Sequence, residues 1–162
     1  MAGDERWMDD LAQKQSARHA DEANEQERRQ RELRETNAAI DHELPTLKSQ
    51  LGEAAQRETE RFRETMGFGT ELACLRDQAG TIEVTWSRNQ GAKLTIQVEM
   101  SSLRLKVDVT HRDVPTVVAL PSAAVRVTDG HLNVYIDGTI VSPEDAISRI
   151  LRPFFEFVVN EA

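Results

Sequence analysis

The chain has 162 residues, 39% of them hydrophobic, and a formal net charge of -8. That length fits one domain plus an extension, and the low apolar fraction places part of the chain outside any core. The acidic balance argues against a nucleic-acid or anionic-membrane binder, because neutralising phosphates needs a surplus of Lys and Arg on one surface, and the single cysteine, Cys74, excludes an internal disulfide or a thiolate metal cluster.

The first residues, Met1 to Arg6, show no apolar stretch behind a basic start, and no run approaches the ~20 apolar residues of a membrane span. With one cysteine, this predicts a soluble, unsecreted protein of a reducing, cytoplasmic compartment.

Residues 4–66 are mainly strong helix formers, with 16 Asp and Glu against 11 Lys and Arg. They predict a long charged helical arm. Trp7, Met8 and Leu11 form a small apolar patch at its front, whereas residues 12–32 hold no apolar side chain larger than alanine. That segment is expected as a solvated helix held by close charge pairs, or as a chain that orders on a partner. The pattern changes at Leu33, because Leu33, Ile40 and Leu47 fall seven apart and Leu44 and Leu51 fill the alternate seam position. This short coiled-coil-like seam, 33–51, leaves two outcomes open: self-association, or packing on the chain's own sheet. Pro45 interrupts it and predicts a kink or a break near residues 42–44, with two helices favoured over one rod. Gly67 and Gly69 are expected to end the second.

An α+β domain is expected over residues 67–162. Residues 70–80 leave strand and helical turn open at Leu72, Ala73, Cys74 and Leu75. Strict alternation then marks three strands: Ile82, Val84 and Trp86; Leu94, Ile96, Val98 and Met100; Leu103, Leu105, Val107 and Val109. The first two are joined through Asn89-Gln90-Gly91-Ala92 and the last two through Ser101-Ser102. Two prolines make 113–121 an edge segment or loop. Residues 125–128 and 132–137 alternate again around Asp129-Gly130, a type I′ hairpin signal. Ser142-Pro143-Glu144-Asp145 is a helix start, followed by Ile147, Ile150, Leu151, Phe154 and Val158 at helical spacing. Pro153 is expected to bend or stop that helix, leaving the state of 154–159 open, and Phe155 and Phe157 make the tail apolar on more than one side. The fold class is therefore α+β: a charged N-terminal helical arm, then an antiparallel meander of five or six strands packed against a C-terminal helix.

Signals for chemistry are weak. His111-Arg112-Asp113 matches the catalytic-loop triplet of protein kinases in letters only, since Val118 stands where an asparagine is required and no glycine-rich phosphate loop exists. His19, His42, His111 and His131 are scattered, so no metal or other cofactor is expected. Cys74 lies in an apolar run with no neighbouring base and reads as inert. Arg28, Arg29, Arg31 and Arg34 are interleaved with Glu25, Glu27, Glu32 and Glu35 and neutralise one another.

The expected function is a non-enzymatic protein–protein interaction module, such as an adaptor, a chaperone-like protein or an assembly subunit. Its partner is another protein, a second copy in a homodimer included, and neither nucleic acid nor membrane. The expected interface residues are Trp7, Met8, Leu11, Leu33, Ile40, Leu44, Leu47, Leu51, Phe155 and Phe157. One alternative is a small hydrolase or isomerase using His111, Asp113 and His131. Another is a structural subunit whose apolar tail is the contact surface.

Overall fold

The computed structural model describes residues 3–89, 91–99, 101–102 and 104–161. Gln90, Met100 and Leu103, read above into a loop and two strands, lie outside the described residues. The chain divides into two compact units, Met1–Ala38 and Ala39–Ala162. The boundary falls well before Gly67, because the second half of the N-terminal helix belongs to the sheet domain's core.

Helix α1 spans Gly3–Met66 without interruption. The expected break near Pro45 does not form, and one helix replaces the two that were expected. Proline in a helix removes one hydrogen bond and crowds the preceding turn at about 3 kcal/mol. Pro45 sits on an exposed face. Water can therefore satisfy the carbonyl it leaves unpaired, while the burial of Leu47, Leu51, Ala54 and Ala55 just beyond it offsets the cost. Gly67 ends α1 with φ of 69°, and the Phe68 amide donates to the Arg63 carbonyl at 2.9 Å, closing the last turn.

Among the described residues eight strands follow: β1 Leu72–Arg76, β2 Ile82–Trp86, β3 Ala92–Glu99, β4 Arg104–His111, β5 Val114–Pro115, β6 Ala123–Thr128, β7 His131–Ile136 and β8 Thr139–Val141. They form one antiparallel sheet in the order β1-β2-β3-β4-β6-β7-β8, with the two-residue β5 pairing on β4. The expected five or six strands become eight because β1 forms where helix and strand were both open, β5 is a stub at the prolines, and β8 follows the turn at Asp137-Gly138. The β3–β4 ladder is long, running from Ala92↔His111 to Glu99↔Arg104. Among the described residues β4 and β6 meet at the pair Arg104↔Ala124, which joins the two antiparallel ladders into one sheet. Asp129 and Gly130 have φ of 52° and 77°, the positive values a type I′ turn requires.

Alternation along the strands sorts the two faces. Leu72, Ile82, Val84, Trp86, Leu94, Ile96, Val109, Val125, Val134 and Ile136 point inward and are buried. On the other face Thr95 stands opposite Asp108 and Gln97 opposite Lys106, the polar cross-strand pairing of a solvated surface. The inner face is covered by α1 beyond Ala39 and by helix α2, Pro143–Glu161. Ser142 caps α2, its Oγ accepting the Asp145 amide at 3.1 Å, with Glu144 and Asp145 in the first turn. Pro153 lies inside α2 and does not stop it. Ile150, Leu151, Phe154, Phe155 and Val158 are buried on both sides of the proline, and residues 154–159 are helical.

Among the described residues no helix is long and apolar enough to cross a membrane.

Candidate functional site

In Met1–Ala38 every described side chain from Glu5 to Glu35 is exposed. The reason is composition: alanine is the only apolar residue between Leu11 and Leu33, and it offers too little surface to bury. What holds the helix locally is charge pairing one turn apart. Glu25 accepts from Arg28 at 3.1 Å and from Arg29 at 3.3 Å, and His19 stands 4.0 Å from Glu22. Such exposed pairs contribute only about 0.3–0.5 kcal/mol each. Against this polar background Trp7 is 51% exposed, Met8 58%, Leu11 54% and Leu33 60%. At about 100° per residue these four fall within one sector of about 100°, so the segment carries a sparse apolar stripe.

The rest of the expected interface lies in the sheet domain. Ile40, Leu47, Leu51 and Phe155 are buried, and Leu44 and Phe157 are half-buried. Leu47 and Leu51 pack with sheet residues in the core, so of the two outcomes open for the seam, packing on the chain's own sheet holds there. The two phenylalanines of the tail are likewise engaged. Phe155 stacks on Phe62 of α1, with ring centroids 4.2 Å apart and planes 3° from parallel, and Phe157 meets the His111 ring edge-on at 5.4 Å. Of the expected interface residues, Trp7, Met8, Leu11 and Leu33 are the ones that stay exposed.

The acid/base candidates do not converge through their contacts. His111 Nε2 is 3.3 Å from the Asn89 carbonyl, whereas His131 sits on a different hairpin with Nδ1 2.9 Å from Glu43. Asp113 is exposed in a turn with φ of 60°. Glu43 also accepts the Leu132 amide, and these two hydrogen bonds, that from His131 foremost, hold its carboxyl below the usual carboxylate range. Burial pushes the Cys74 thiol up, with the Thr59 hydroxyl and Arg76 pulling the other way more weakly. A raised thiol stays protonated at neutral pH and is a poor nucleophile. No group of three metal-ligating side chains occurs among the described residues.

Comparison with family models, curated proteins and solved structures finds no match.

Two features of the surface escaped sequence reasoning. A groove of about 470 Å3 runs between α1 and α2 over the Phe62–Phe155 stack, rimmed by Glu58, Arg61, Arg152 and Glu156. A second cleft, about 480 Å3, lies between α1 and the β1–β2 turn. Both are built from segments far apart in the chain, so no local signal marks them.

Proposed function

We propose that the protein is a non-enzymatic interaction module whose N-terminal helical segment mediates self-association or docks on another protein. One observation carries this reading: a helix with every described side chain from Glu5 to Glu35 exposed keeps a tryptophan, a methionine and two leucines on one sector. Isolated helices draw most of their stability in proteins from packing an apolar face, and this segment has none packed. Tryptophan in particular is enriched among the residues that dominate binding energy.

Magnitudes favour a second copy over a small contact on a foreign surface. The four side chains are each about half exposed, so completing their burial yields roughly 3–6 kcal/mol from one segment. That is near the low end of the roughly 4–15 kcal/mol lost on association. Two copies facing each other contribute twice the apolar area and bring the stripe to a self-complementary C2 contact.

The test is light scattering of the full chain and of Trp7→Ser/Leu11→Ser/Leu33→Ser. An oligomer that becomes monomeric in the variant, with unfolding unchanged, is the expected result. If the wild type is already monomeric, a photocrosslinking residue at Met8 should give a discrete adduct in cells. A monomer with no adduct sinks the reading.

A further inference from the structure

The cleft between α1 and the β1–β2 turn receives two basic side chains, Lys48 from the helix and Arg76 from the end of β1. Neither has an acidic partner among the described residues, in a chain whose net charge is -8. Each is seated by a glycine. A Cβ on Gly52 would stand 2.3 Å from Arg76 Cδ and 2.7 Å from Nη1, so the arginine lies across bare helix backbone. Glycine is, after proline, the poorest helix former, yet it occupies this position well inside α1. On the opposite wall a Cβ at Gly80 would stand 3.0 Å from Lys48 Cδ, and Gly80 has φ of 86°, a conformation side chains disfavour. Gly52 is one helical turn from Lys48 on α1, and Lys48 and Arg76 both line the cleft. Among the lining residues the only carboxylate is Asp77, and its Oδ1 is engaged by the Thr81 amide at 2.9 Å. Ser49 adds a hydroxyl, and Pro45 an apolar wall.

We propose that this cleft binds a phosphate monoester carried on a small organic body. A guanidinium fork and an ammonium point charge together match a three-oxygen dianion better than a two-oxygen carboxylate, and the Pro45 wall takes the organic part. The alternative role for these side chains is to lay their methylenes over the apolar surface with the charges in water. That role predicts no saturable anion binding.

The experiment is an amide-resolved NMR titration of the full chain with phenyl phosphate and, separately, with inorganic phosphate. The expected result is a saturable shift of the Gln78, Ala79 and Gly80 amides by phenyl phosphate, with inorganic phosphate weaker. Lys48→Gln and Arg76→Gln should each weaken binding about tenfold or more. Lys48→Arg keeps the charge and should retain binding, which separates a lost cation from a damaged fold. Gly52→Ala keeps both charges but displaces Arg76, and should weaken binding several-fold. Absence of a saturable shift overturns the site, as does a shift indifferent to Lys48→Gln and Arg76→Gln. Equal affinity for inorganic phosphate overturns the organic body.

Discussion

Glu43 ties α1 to the β6–β7 hairpin by accepting from both His131 and the Leu132 amide, and these contacts depress its protonation. A carboxyl whose folded pKa lies below its unfolded one contributes stability that is fully present above the unfolded value. That contribution is lost as pH falls through the folded value. Glu43→Gln should therefore lower the urea midpoint at neutral pH, and the gap to wild type should close as the pH drops below the carboxylate range. A gap independent of pH would mean that packing, not charge, holds the hairpin. Nothing in the sequence marks Glu43 among the many acids of residues 4–66. Its partners lie on a hairpin far along the chain, and only the fold brings them within reach.

Among the elements, the strands with clean alternation were legible and the short ones were not. Ile82, Val84 and Trp86 bury one side each in turn because a strand's side chains alternate whatever surrounds it. Strand β1 has no such signature, since Ala73 and Leu75 on its outer face are as apolar as Leu72, and β8 is only three residues long. At Pro45 the expected break is absent, and at Pro153 the open choice for 154–159 falls to helix, for one reason: a local penalty of about 3 kcal/mol is smaller than the packing of the buried side chains that flank each proline. Because Pro45 is exposed within a continuous helix, Pro45→Ala should stabilise the protein by about 1–3 kcal/mol in urea unfolding. A destabilised variant would show that the proline shapes the helix to fit the sheet.

At the scale of the whole molecule, the seam from Leu33 to Leu51 is one pattern with two fates. Leu47 and Leu51 enter the core, and Leu33 stays exposed. A chain starting at Ala39 should therefore keep cooperative unfolding, since Ala39–Ala162 is a compact unit with its own core. A chain starting at Gly67 loses Leu47, Leu51, Ala54 and Ala55 and uncovers the sheet. Each leucine alone represents about 1.5–3 kcal/mol of burial against a total stability of roughly 5–15 kcal/mol, so this shorter chain should lack a cooperative transition by circular dichroism. Equal stability of the two would remove α1 from the core.

The sequence by itself determined the α+β class, the helical start at Ser142, the one-sided strands and the poverty of residues 12–32 in anything to bury. Each depends on neighbours a few positions apart, where backbone periodicity and capping act. Tertiary structure alone decided that α1 runs unbroken through Pro45, which heptad leucines are buried, and that Lys48, Arg76 and Gly80 share one cleft. The physical reason is that burial and charge convergence depend on which distant segments meet, and a heptad of leucines satisfies a sheet as well as it satisfies another helix.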